Sequence, residues 1–121
     1  MTALSLIIPC YNEARNLPLL LRRLDEVMVR DDIEVLLVDN GSDDETHRLL
    51  AEAMAERRFL GSVRVEVNQG YGHGILAGLR AAKGGILAWT HADLQTDPGD
   101  ALRGLALFEA AAVPERCFVK G

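Results

Sequence analysis

The feature of this sequence that most constrains its fold is a regular alternation between two hydrophobic periods. Short apolar runs, typical of strands, occur at 4–8, 33–38 and 86–89. In 63–67 apolar and polar residues alternate, which predicts a half-buried or edge strand. Between these runs, apolar residues recur at the three- and four-residue spacing of a helix face, as in Leu17, Leu20 and Leu24. Strands that alternate with helices of this length predict βαβ units and a mainly parallel sheet with helices on both faces. We therefore expect a Rossmann-like, three-layer α/β fold.

Local signals predict where the helices begin and end. Ser42 and Glu45 have the spacing of a capping box, so we expect the second helix to begin with Ser42 as its N-cap. Asp97 followed by proline predicts the start of the fourth helix, and the glycine pair 84–85 ends the third. The run 117–119 predicts the beginning of a fifth strand.

Composition and charge restrict the class of protein. The 121 residues suffice for a single domain, 1–121, and 49% hydrophobic with 26% charged residues is typical of a soluble protein. The formal charge of −5 and the lack of a basic stretch argue against a nucleic-acid partner. Cys10 and Cys117 are too few for a disulfide scaffold or zinc cluster, which favours a reducing, cytoplasmic setting. No apolar run is long enough to span a membrane.

Polar residues follow the first two predicted strands, at the sheet edge where ligands bind in such folds. Tyr11 can stack on a planar base, and Glu13 lies at a helix start, where it could instead be a cap. Asp39 and Asn40 combine a carboxylate with an amide, which suits the N–H edge of uracil or guanine. The alternative for this second segment is a capped turn, and Ser42 alone would explain it.

The third and fourth predicted strands are followed by a glycine-rich turn and by candidate metal ligands. The turn at 68–74 lets the backbone approach a ligand closely. On an extended segment alternate side chains point the same way, so His91, Asp93 and Gln95 could face one ion. The alternative for His91 is a hydrogen-bonded turn histidine, and Asp97 is interpreted as a helix cap.

Four segments in register resemble family 2 glycosyltransferases of the GT-A fold, and among them polyprenyl-phosphate sugar synthases of the dolichyl-phosphate mannosyltransferase type. The segments are SLIIPCYNE at 5–13, VDNGS at 38–42, NQGYG at 68–72 and ADLQTDP at 92–98. They span nearly the whole chain. The resemblance implies a GT-A-type domain that binds a nucleotide-sugar donor.

The resemblance also implies roles for individual residues. The nucleotide-binding set is Pro9, Tyr11, Asn12, Glu13, Asp39, Asn40, Gly70, Ala92, Asp93 and Gln95. Asp93 matches the last carboxylate of the metal-binding D-x-D motif and is the predicted catalytic residue, with His91 and Gln95 as further ligands of Mn²⁺ or Mg²⁺. Two positions depart from the family pattern, since His91 and Asn40 stand where aspartates are usual. Imidazole beside a carboxylate suits Mn²⁺ better than Mg²⁺.

The implied reaction is inverting transfer of a sugar from a UDP- or GDP-sugar to a polyprenyl or dolichyl phosphate. Such an acceptor is ionised near neutral pH and needs no general base, and it would bring the enzyme to the cytoplasmic face of a membrane. Related enzymes continue past the fourth helix, so we expect the acceptor half to be missing and exposed apolar surface to cause self-association. The alternative is a non-catalytic nucleotide-binding module. A nicotinamide dehydrogenase is disfavoured, because no glycine fingerprint follows the first strand.

Overall fold

The computed structural model describes residues 2–111 and Val119, and it shows the predicted three-layer α/β architecture. The strands are β1 (Leu4–Cys10), β2 (Ile33–Asn40), β3 (Leu60–Val65) and β4 (Ile86–Trp89). They form one parallel sheet in the order β3-β2-β1-β4. The helices are α1 (Leu17–Val27), α2 (Thr46–Glu56), α3 (Tyr71–Ala81) and α4 (Asp100–Ala110). Because all four strands run the same way, their carboxyl ends meet at one edge of the sheet.

The two faces of the sheet are covered by different helices. Alternate residues of β1 and β2, such as Leu6 and Leu37, pack with α1, α2 and α4 in the larger core. The intervening residues Ile7 and Val38 pack against α3 on the other face. β1 is therefore buried along its whole length, which explains why its sequence is a nearly continuous apolar run. No helix within 2–111 is long and apolar enough to cross a bilayer.

Two helix starts differ from the sequence prediction. α2 begins at Thr46 instead of near Ser42, and its N-cap residue is Glu45, whose side chain makes no capping hydrogen bond. The Ser42 hydroxyl instead accepts the backbone N–H of Asn12, so the capping-box prediction was wrong. α4 begins at Asp100, because Asp97 accepts the Gly99 N–H in a turn that precedes the helix.

The strands also differ slightly from their predicted limits. The predicted run 4–8 is extended, because β1 continues through Pro9 to Cys10. Its pairing with β4 ends earlier, at the pair of Ile7 with Trp89. β3 is at the edge of the described sheet, as the alternating pattern predicted, although it ends before Val67. The predicted fifth strand lies outside the described residues except for Val119, which is not in a strand.

Candidate functional site

A pocket of about 210 Å³ lies at the carboxyl edge of the sheet. Its walls come from the last residues of β1 and β2 and from the segments that follow the four strands: Pro9, Cys10, Tyr11, Glu13, Asn40, Asn68, Tyr71, His91, Ala92 and Asp93. The structure thus brings together most of the residues predicted to bind nucleotide. The exceptions, which do not line this pocket, are Asn12, Asp39, Gly70 and Gln95. Sequence reasoning did not select Cys10, Asn68 and Tyr71 as site residues, although Cys10 ends β1 and the other two lie in the glycine-rich turn at 68–74.

The pocket walls carry carboxylates but no Lys or Arg side chain. Glu13 and Asp93 supply the negative charge, and the imidazole of His91 is the only basic side chain among the residues that line the pocket. Burial raises the pKa of the Cys10 thiol, with the charges of Glu13 and Asp39 adding to the effect. Cys10 is therefore a protonated, apolar part of the wall. The charges on these walls disfavour an anionic ligand unless a cation accompanies it.

Asp39 is a fully buried ionic group that does not reach the pocket. Its Oδ1 accepts the backbone N–H of Ser42 at 3.1 Å. Its Oδ2 accepts Arg64 Nη1 at 2.5 Å and lies 3.3 Å from His47 Nδ1. Both carboxylate oxygens are thus engaged by the protein, and Asp39 does not line the pocket, so its predicted contact with a base stays a prediction.

Asn40 faces the opposite side of β2 and lines the pocket. Its side chain is held by α3, because Nδ2 donates to the carbonyl of Gly70 at 3.1 Å. Helix α3 approaches this closely because Gly74 has no side chain, and a Cβ there would lie 2.9 Å from Nδ2. Asn40 Oδ1 is buried and has no hydrogen-bond partner among the described residues. A buried acceptor without a partner is costly, so this atom favours a ligand that donates an N–H or O–H.

Two aromatic rings form one wall of the pocket. The rings of Tyr71 and His91 are stacked, with centroids 5.1 Å apart and planes 16° from parallel. Burial raises the pKa of Tyr71, and the charge of Asp93 raises it further. Tyr11 lines the same pocket and is 48% exposed, so its ring is available to a planar ligand.

The segment that carries Asp93 is a turn and not an extended strand. Leu94 has φ +63°, and Asp93 Oδ1 accepts the backbone N–H of Gln95 at 3.1 Å. The predicted alternation therefore fails at this point, and Gln95 does not share the pocket with His91 and Asp93. Within 2–111 no three His, Cys, Asp or Glu side chains are grouped so that they could hold a metal alone.

Two contacts fix the ends of this turn. The hydroxyls of Thr90 and Thr96 are 2.7 Å apart. Arg23 Nη2 and Nε donate to the two oxygens of Asp97, at 2.7 and 3.0 Å. This bidentate pair, together with the Gly99 N–H, lowers the pKa of Asp97 to about 2. Asp97 therefore ties the turn to α1.

The parallel sheet, its helical layers and the pocket at its carboxyl edge define a domain of the GT-A class. The sequence profile described as Glycosyl transferase family 2 matches residues 5–114, and the chain belongs to this family. It is 38% identical over 109 residues to an undecaprenyl-phosphate 4-deoxy-4-formamido-L-arabinose transferase from Pseudomonas fluorescens. A transferase of the same name from Enterobacter sp. is 39% identical over 106 residues. These matches cover 87% and 84% of this chain but only 32% of each relative, so the chain spans about a third of their length.

Solved structures show the same fold. A mannosyltransferase from Pyrobaculum calidifontis, in complex with GDP-Man and Mn²⁺, superposes with a TM-score of 0.68 and 31% identity over 74% of this chain and 27% of its own. S. aureus TarS 1–349 in complex with UDP-GlcNAc gives a TM-score of 0.76 over 90% of this chain and 31% of its own. At 24% identity, the second similarity shows the fold alone.

Proposed function

We propose that this chain is the donor-binding part of a metal-dependent family 2 glycosyltransferase. The proposed reaction is inverting transfer of a sugar from a UDP- or GDP-sugar to a polyprenyl phosphate. The observation that carries the proposal is the pocket itself, which collects residues of all four family segments at one edge of the sheet. The relatives named above, whose names state undecaprenyl phosphate, support the choice of acceptor.

The base of the nucleotide is assigned to the part of the pocket around Asn40. The free acceptor Oδ1 of Asn40 suits the N–H that uracil and guanine both present between two carbonyl groups. The exposed ring of Tyr11 lies on the same pocket and offers a stacking surface. Asp39 supports this region from behind and does not touch the base.

The diphosphate is assigned to the side of the pocket that carries Asp93 and His91. The Asp93 side chain is exposed, and its Oδ1 is oriented by the Gln95 N–H, so that Oδ2 is available to a cation. An oxygen and an imidazole nitrogen fit Mn²⁺, with the remaining ligands coming from the diphosphate. The bound ion would act as a Lewis acid that stabilises the charge of the leaving diphosphate. Since the pocket walls lack Lys and Arg, we expect donor binding to depend on this cation.

The proposed acceptor does not require a general base from the protein. A phosphate acceptor is already ionised at neutral pH, so no residue has to remove its proton. A lipid-linked phosphate also places the reaction at a membrane surface, and we propose peripheral attachment at the cytoplasmic face.

Calorimetry of UDP and GDP binding tests the proposal. We expect Mn²⁺ to strengthen binding to the native chain, and Asp93→Asn to abolish that enhancement. Asp31→Asn is the matched control, because Asp31 is exposed in the loop before β2 and is not part of the pocket wall. Equal affinity in Mn²⁺ and in chelator would refute the proposal. Turnover of a polyprenyl phosphate by this chain would refute the alternative, a non-catalytic nucleotide-binding module.

Self-association is a separate part of the proposal. β4 is an edge strand of the described sheet, and its side chains Leu87 and Trp89 are about half exposed. An open edge that carries apolar side chains favours pairing with a second copy of the chain. Light scattering over a wide concentration range measures this, and a monomer throughout would contradict it.

A further inference from the structure

We propose that the segment 42–46, which comprises the loop following β2 and the first residue of α2, is a latch that holds the loop following β1 in the shape required by the pocket. The latch consists of the side chains of Ser42, Asp44 and Thr46. They accept the backbone N–H groups of three consecutive residues, 12–14. These latch residues are positioning residues. Their hydrogen bonds are independent of the proposed function, whereas their effect on nucleotide binding rests on it.

The contacts are one-to-one. Ser42 Oγ accepts the Asn12 N–H at 3.0 Å, and Thr46 Oγ1 accepts the Glu13 N–H at 2.9 Å. Asp44 Oδ2 accepts the Ala14 N–H at a longer 3.4 Å. One bond runs the other way, since the Asp43 N–H donates to Asn12 Oδ1 at 3.0 Å. Two loops that lie about thirty positions apart in sequence are thereby joined by four hydrogen bonds.

The loop after β1 needs such support for two reasons. Residues 12–14 lie between β1 and α1, so their N–H groups receive no partner from a strand ladder or from a helix. In addition, Asn12 has φ +50°, a left-handed conformation that is uncommon for non-glycine residues, although asparagine adopts it more readily than most. Ser42 and Thr46 are buried, which makes their hydrogen bonds less accessible to competing water.

The latch bears directly on the pocket because one held residue, Glu13, lines the pocket and another, Asn12, lies between two pocket residues. Tyr11 and Glu13 flank Asn12 and both line the pocket. The Glu13 N–H is bound by Thr46, and the Glu13 side chain accepts Asn16 Nδ2 at 2.8 Å, so both the main chain and the side chain of Glu13 are fixed. Asp39 extends the latch inward, since its Oδ1 accepts the Ser42 N–H. Asp39 therefore acts on the pocket through Ser42 and Asn12.

Amide hydrogen exchange, measured residue by residue by NMR on the full chain, tests the latch without any ligand. In Thr46→Val, which keeps the shape of the side chain but cannot accept a hydrogen bond, we expect exchange of the Glu13 amide to accelerate about fivefold. Thr46→Ser should restore the native rate. Ser42→Ala should accelerate exchange at Asn12 instead of Glu13. Ser62→Ala, a hydroxyl removal on β3, is the control and should change neither amide.

Nucleotide binding forms the second arm of the experiment. We expect Thr46→Val to weaken UDP or GDP binding about fivefold in Mn²⁺, with Thr46→Ser close to native. A native exchange rate for Glu13 in Thr46→Val, or equal acceleration in Thr46→Ser, would overturn the latch. If accelerated exchange left affinity unchanged, the latch would not position the pocket and this inference would be wrong. If the native chain bound neither nucleotide, the proposed function would fail, and the exchange rates would still decide whether the latch exists.

Discussion

The ion pair between the buried Asp39 carboxylate and the partly exposed Arg64 guanidinium allows a structural role of Asp39 to be distinguished from a contact with the base. The perturbations are Asp39→Asn, Arg64→Met and the double variant. In Asp39→Asn, the amide oxygen can still accept the Ser42 N–H, but an NH₂ group then faces the guanidinium where Oδ2 stood. In Arg64→Met, the carboxylate remains buried with His47 as its nearest ionisable neighbour.

The expected free energies follow from burial. Removing one member of a fully buried pair costs about 3–5 kcal/mol. The Arg64 side chain is 32% exposed, so water can partly solvate it once Asp39 is neutral. We therefore expect a loss of about 2 kcal/mol for Asp39→Asn, within the range of a hydrogen bond to a charged group. The loss for Arg64→Met should reach about 3 kcal/mol, because the carboxylate left behind is wholly buried.

Urea denaturation at neutral pH measures these losses. The double variant should be less destabilised than the sum of the two singles by about 1.5 kcal/mol, which is the coupling that a double-mutant cycle isolates. Glu66→Gln is the control, because Glu66 is highly exposed and only 3.9 Å from Arg64, and it should change stability by less than about 0.5 kcal/mol. Losses that simply add would refute the coupling of Asp39 to Arg64.

The same variants test the assignment of the base. We expect Asp39→Asn to keep UDP or GDP affinity within about threefold of native, whereas Asn40→Ala should weaken it by about tenfold through loss of one buried hydrogen bond. An equal loss in both variants would show that Asp39 also contacts the base.

Two further predictions concern stability. Gly78→Ala should destabilise the fold by about 1–3 kcal/mol, because the new Cβ would overlap methyl groups on β1 and β2. A Cβ at Gly72, on the same helix, would meet nothing within 4 Å, so Gly72→Ala should be neutral or slightly stabilising. Urea denaturation compares the two variants, and equal effects would contradict the packing argument. Because the pKa of Asp97 is lowered to about 2 from 3.8, its pair with Arg23 stabilises fully above about pH 5 and this contribution is lost as the pH falls towards 2. Asp97→Asn should therefore make stability less dependent on pH in this acid range, and an unchanged pH profile would count against the pair.

The fold was predictable from the sequence because its strongest signals are local. The apolar runs that became β1 and β2 and the leucine spacing of α1 each reflect burial on a defined face. The start of α2 was not predictable in this way. Ser42 had the right spacing for a cap, but its hydroxyl is used by Asn12, thirty residues earlier in the chain. A capping signal and a contact between loops require the same type of side chain, so the local pattern cannot distinguish them.

The candidate site was predictable in outline, because parallel strands bring their carboxyl ends to one edge. The partners and positions of individual side chains were not predictable. The partner of Asp39 comes from β3, where Arg64 reads from sequence only as the exposed position of an alternating strand. The position of Gln95 depends on the left-handed backbone of Leu94, a conformation for which a leucine gives no signal.

Strand alternation explains why only one of the adjacent residues Asp39 and Asn40 lines the pocket. Neighbouring residues on a strand point to opposite faces. Val38 packs on the α3 face, so Asn40 lies on that face as well, next to the glycine-rich start of α3. Asp39 lies on the other face, as Leu37 does, where it contacts His47 of α2 and is buried. Once α3 is placed opposite the larger core, the parity of the β2 residues places position 40 on the pocket wall and position 39 among the surrounding loops.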